Sequence, residues 1–91
     1  MSMYKPNTVK IFKETRTTIK SIVDPELVYP SVWAMSDWIR EHGFDITNCF
    51  DGWRNNDGDR AGMIVVQTEY GLVYVYVKHV IHDAWVLDHV E

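Results

Sequence analysis

Residues 62–90, GMIVVQTEYGLVYVYVKHVIHDAWVLDHV, decide how the rest of the chain must fold. β-Branched and aromatic residues dominate this stretch, and breaks fall at Glu69-Tyr70-Gly71 and between His79 and Asp83, which is the pattern of a β-meander. A three-residue loop ending in glycine suits a type I turn closed by a bulge, because glycine adopts positive φ without steric cost. That loop predicts Thr68 opposite Leu72, with Val66 and Ile64 facing Tyr74 and Tyr76 on one side of the ribbon. Gln67, Val65 and Met63 then face Val73, Val75 and Val77 on the other. Both faces are apolar, whereas a sheet with one wet face alternates apolar with polar, so both sides of this ribbon call for a cover.

Upstream of the ribbon, residues 31–42 read as the main helix. Ser31 caps it, Gly43 stops it, and Val32, Met35, Trp38, Ile39 and His42 line one face, leaving Trp33, Asp37 and Arg40 off that face. Residues 8–23, TVKIFKETRTTIKSIV, carry two conflicting signals. Val9, Phe12, Ile19 and Val23 are spaced for a helix, with Asn7 as a cap and Lys10 four residues before Glu14. Nine of the sixteen residues are β-branched, however, and on that count two strands are expected, over 8–14 and 17–23. Asp24-Pro25-Glu26 marks a turn, and residues 1–6 are expected to form a loose end. A short strand is expected at 44–50, followed by an irregular loop rich in Asp, Asn and Gly that contains Trp53. The resulting expectation is one α+β domain over residues 1–91, an antiparallel sheet of four to five strands packed on one main helix.

At 46% hydrophobic and 24% charged, the chain has the composition of a folded globular domain rather than a disordered one. No run approaches the roughly 18 apolar residues of a membrane span, and the first ten residues lack the apolar segment of a signal peptide, so a cytoplasmic protein is expected. The single cysteine, Cys49, is read as a small apolar residue rather than a reactive thiol. The net charge of −4 is unevenly distributed: residues 1–23 carry +4, from Lys5, Lys10, Lys13, Arg16 and Lys20 against Glu14, and residues 24–91 carry −8. A basic arm therefore precedes an acidic body.

Chemistry-bearing patterns are scarce. Asp51, Asp57 and Asp59 lie among glycines, but placing Gly58 at the sixth position of a calcium loop would put Trp53 at the first. His79, His82, Asp83 and His89 match no fixed metal-ligand spacing, and residues three apart on a strand point to opposite faces. No phosphate-binding loop, C-x-x-C pair or glycine-framed nucleophile occurs. No cofactor, metal or catalytic residue is expected.

Large aromatics and arginine dominate interface energies because they bury much area at modest entropic cost and retain polar tips. Trp33, Trp53, Arg54, Tyr74 and Tyr76, together with the acids Asp51, Asp57 and Asp59, are therefore the expected partner-binding residues. The functional expectation is a small non-enzymatic module that docks on a larger host protein or protein complex, such as a nuclease, polymerase or defence complex, and inhibits or modulates it. An accessory protein of a phage or mobile element would have this character. A homodimer through the Tyr74/Tyr76 face is a second possible arrangement. The alternatives are a nucleic-acid-binding regulator acting through the basic segment, which overall acidity disfavours, and a small metal-dependent hydrolase built on the histidines.

Overall fold

The computed structural model describes residues 6–24 and 26–91; of the loose end expected for residues 1–6, all but Pro6 lies outside the described residues. Two helices, α1 (Pro6–Ile22) and α2 (Val32–Glu41), precede four strands, β1 (Asp45–Arg54), β2 (Arg60–Thr68), β3 (Gly71–Ile81) and β4 (Ala84–Val90). The strands form one antiparallel sheet in the order β1-β2-β3-β4, so the meander is as expected and the fold is α+β. Among the described residues no helix is long and apolar enough to cross a membrane.

The two strands expected over 8–14 and 17–23 are instead the single helix α1. Helical spacing prevails because it gathers Phe12, Ile19 and Val23 onto one face. Ile19 and Val23 are fully buried there, and Phe12 packs against the same core. A strand would have sent neighbouring apolar residues to opposite sides. The helix also accommodates its hydroxyl side chains internally: Thr17 donates to the Lys13 carbonyl at 2.9 Å, and Ser21 to that of Thr18 at 2.7 Å. Lys10 and Glu14 form the anticipated four-residue pair at 3.8 Å, an exposed contact of little energetic weight.

Helix α2 follows its sequence closely. Ser31 Oγ accepts the Ala34 N–H at 3.0 Å as the N-cap, and Val32, Met35, Ser36 and Ile39 are buried. Trp38, expected on the core face, is 41% exposed because it turns toward α1, where its Nε1 donates to the Ile22 carbonyl at 2.7 Å. The ring thus closes the C-terminal end of α1 instead of filling the core.

The β2–β3 hairpin sits one residue away from the predicted register. Thr68 pairs with Gly71, leaving a two-residue loop of Glu69 and Tyr70. Thr68 Oγ1 accepts from Gly71 N at 3.1 Å and donates to Gly71 O at 2.8 Å, so the side chain closes the turn that a bulge was expected to close. Because strand side chains alternate, this shift sorts the ribbon into two chemically distinct faces. Ile64 and Val66 join Val73, Val75 and Val77, all fully buried, while Met63 and Val65 join Tyr74 and Tyr76.

Both helices pack on the aliphatic face, where Ile19, Val23, Met35 and Ile39 share one core cluster with the β2–β3 valines, Trp85 and Val90. The approach is tight at Gly62, where a Cβ would stand 2.6 Å from the Phe50 carbonyl oxygen and 2.9 Å from Val32 Cγ2. The α1–α2 linker is tied to the sheet edge by a reciprocal backbone pair between Tyr29 and Trp85, 2.8 Å in each direction. No element of the described chain lies over the Tyr74/Tyr76 face.

Candidate functional site: an open aromatic sheet face

Strand β1 extends to Arg54, beyond the expected end at residue 50, and carries a bulge at Gly52. Asp51 pairs with Gly62 and Trp53 with Ala61, so Gly52 is the extra residue, at φ 112°, a conformation that favours glycine. Without that extra residue Trp53 would project into the helical layer. With it, Trp53 joins Phe50 on the open face. A second bulge, at Asp88 in β4, lets His89 pair with Tyr76 on the open side while Leu87 pairs with Val77 on the core side.

These two irregularities assemble a continuous aromatic row. Phe50 meets Trp53 edge-on at 5.9 Å between ring centroids, Trp53 lies 5.8 Å from Tyr76, Tyr76 lies 6.5 Å from Tyr74, and His89 stacks on Tyr76 at 4.4 Å with only 10° between planes. All of these rings are partly solvent-accessible. Between Trp53 and Tyr76 lies the small side chain of Ala61, and the space above it is a cleft of ≈ 300 Å³ rimmed by Arg54, Asp88 and Glu91. His89 lies between the two carboxylates, with Nδ1 3.6 Å from Asp88 Oδ2 and Nε2 3.5 Å from Glu91 Oε1. Arg54 turns away toward the β1–β2 loop, where it donates to the Gly58 carbonyl at 2.8 Å.

Of the residues expected to bind a partner, Trp53, Tyr74 and Tyr76 share this side of the sheet, and Trp53 and Tyr76 line the cleft; Arg54, which pairs with Arg60 and alternates to the other side, reaches the cleft only at its end. Trp33 is 52% exposed but projects from α2 in the helical layer. Asp51 faces the helices and pairs with Arg60 at 3.1 Å. Asp57 and Asp59 sit exposed in the β1–β2 loop, whose backbone is organised by Asn55: its Oδ1 accepts from both Asp57 N and Asp59 N, at 3.0 and 2.9 Å. Phe50, His89, Asp88 and Glu91 were not among the expected residues. Gly52, between Asp51 and Trp53 in an otherwise extended run, was the signal in the sequence for the first bulge; nothing comparable marks Asp88.

Trp53 Nε1 is buried with no acceptor among the described residues. An unpaired buried donor costs about 1–3 kcal/mol, so the ring is held here by its aromatic neighbours in spite of its polar atom. Trp53→Phe, which removes that donor and keeps the stacking, is accordingly expected to change the unfolding free energy by less than about 1 kcal/mol in urea titrations. A loss of about 3 kcal/mol, usual for gutting a buried aromatic, would show that the indole N–H is satisfied after all.

Elsewhere the chemistry is muted. Burial pushes the Cys49 thiol above its ordinary pKa, partly countered by the Ser36 hydroxyl and the Arg40 charge, so at neutral pH it is a protonated and weakly nucleophilic group. His79 hydrogen-bonds the His82 carbonyl across its own hairpin and packs 5.2 Å from Trp85. Among the described residues no group of three or more His, Cys, Asp or Glu side chains is placed to hold a metal ion. Helix α1 revises one electrostatic expectation: strand geometry would have separated Lys10 from Lys13, but at helical spacing Lys10, Lys13 and Lys20 form one stripe beside exposed Thr17.

Comparison with known proteins returns no match: no family model fits the chain, and no characterised protein or solved structure is significantly similar to it.

Proposed function

We propose that this protein is a non-catalytic binding module that docks on a larger protein through the open aromatic face of its sheet. The observation that carries the reading is that both helices cover the same side, leaving Phe50, Trp53, Tyr74 and Tyr76 accessible on the other. A four-stranded sheet with one aromatic face toward solvent exposes the residue types that supply most binding energy at protein interfaces. The −8 carried by residues 24–91 favours a protein partner over a polyanion at this face. Inhibition or modulation of the partner follows if its own working surface is what the sheet covers.

Affinity capture with the wild-type chain and with Tyr76→Ala tests the proposal. Removing the ring at the centre of the row is expected to weaken the captured complex by about 2 kcal/mol or more, with the thermal midpoint of the isolated protein nearly unchanged. The same partner retained equally by both proteins would place the interface elsewhere. Sedimentation of the purified chain examines the other occupant, a second copy seated face to face: a dimer abolished by Tyr76→Ala would replace the larger partner with a symmetry mate.

The stripe of Lys10, Lys13 and Lys20 on α1 supports a second reading, contact with nucleic-acid phosphates through the helical layer. Binding to a DNA column that weakens steeply with salt and is lost in Lys13→Glu would favour it.

A further inference from the structure

We infer that the cleft between Trp53 and Tyr76 receives an arginine side chain of the docking partner. This rests on the docking proposal above and names the anchor within that interface. The cleft has aromatic walls, a floor made by the Ala61 methyl group, and two carboxylates at its rim. A guanidinium lying over aromatic rings is attracted by their negative faces and stacks on them as a plane, which an ammonium group does less well. Tyr76 and His89 already form a nearly parallel stack, and the protein performs the same recognition internally, with Arg60 5.5 Å from the centroid of Trp85 on the opposite side of the sheet.

Charge gives the cleft its sign. Asp88 and Glu91 touch only the edges of the His89 ring, at 3.6 and 3.5 Å, and each retains oxygen lone pairs able to accept N–H groups from a guanidinium fork. Glu91 is held in place through its backbone, which exchanges two hydrogen bonds of 2.7 Å with Tyr74. Arg54, the only arginine or lysine lining the cleft among the described residues, donates to the Gly58 carbonyl in the β1–β2 loop. The two rim carboxylates attract a basic group toward the cleft.

The test uses NMR of the full chain titrated with the pentapeptide acetyl-Ala-Ala-Arg-Ala-Ala-amide, in parallel with the same peptide carrying citrulline, which keeps the planar shape and lacks the charge. Saturable shifts of the Trp53 indole N–H and of the Tyr76 and His89 signals are expected with arginine. The citrulline peptide should bind at least about fivefold more weakly, and the Asp88→Asn/Glu91→Gln protein should lose arginine binding by a similar factor. Both substitutions are on exposed side chains, so folding is retained and checked by the same spectra. Equal binding of the two peptides, or no response to either, overturns the arginine anchor. Tighter binding of oligothymidylate at the same signals would overturn it in favour of base stacking. The docking proposal is judged separately by the Tyr76→Ala capture, so a failed arginine titration with a Tyr76-dependent partner removes only the anchor.

Discussion

Trp85→Ala is expected to lower the unfolding free energy by about 4 kcal/mol, against roughly 5–10 kcal/mol for a whole domain of this size. The ring is only 4% exposed, closes the β4 edge of the core beside His79, and lies under the Arg60 guanidinium. Its backbone also holds the α1–α2 linker through Tyr29. Truncation therefore leaves a cavity at the point where the linker crosses the sheet edge, and it strips Arg60 of its aromatic partner. Trp85→Phe should recover more than half of the loss, since most of the area returns. Urea titration of the three proteins measures both numbers. A cost below about 1 kcal/mol for the alanine protein would mean that the linker collapses into the space and that Trp85 contributes little to holding the layers together.

Gly62→Ala is expected to cost about 3 kcal/mol and to lower the thermal midpoint by about 12 °C or more. A Cβ at this position meets a backbone carbonyl at 2.6 Å and the Val32 methyl at 2.9 Å. Val32 can yield by changing rotamer or being shortened, but the Phe50 carbonyl belongs to the β1–β2 ladder and moves only if the strands separate. In the Val32→Ala background the extra cost of Gly62→Ala should fall, without reaching zero. Full recovery would locate the whole clash at the helix, and no recovery would locate it all at the strand. The consequence reaches the open face: Gly62 lies one residue from Ala61 and opposite the bulge that turns Trp53 outward, so spreading β1 from β2 here would also disturb the cleft.

The binding proposal and these stability arguments share a cause. Placing both helices on one side buries the aliphatic half of the ribbon and leaves the aromatic half to be shielded by its own rings. Val65 is nearly buried there although no helix covers it, because tyrosine side chains crowd the sheet surface around it. Such a face is compatible with a folded free protein, since its rings retain polar edges, and it still has apolar area to give up on association.

Local chemistry made much of the architecture legible in advance. The positions of the two hairpin turns, the Ser31 cap, the burial of Val32, Met35 and Ile39 on α2 and the apolar character of both sides of the ribbon follow from residue type and short-range spacing, whereas the type and register of the first turn, and the exposure of Trp38 and His42, do not. The sequence was less informative wherever two local preferences competed. β-Branched composition in residues 8–23 favoured strands, yet burial of Ile19 and Val23 against the sheet outweighed it, and propensities worth tenths of a kcal/mol per residue lose to side chains worth about 1.5–3 kcal/mol each when buried.

The aromatic composition of the site was determined by the sequence alone, and Trp53, Tyr74 and Tyr76 stand out in it. Their assembly with Phe50 and His89 was decided only in the tertiary structure, by a hairpin register closed through Thr68 and by bulges at Gly52 and Asp88. The physical reason is that one inserted or shifted residue sends a strand side chain to the opposite face, and the choice is made by the partner strands and the helices packed behind them.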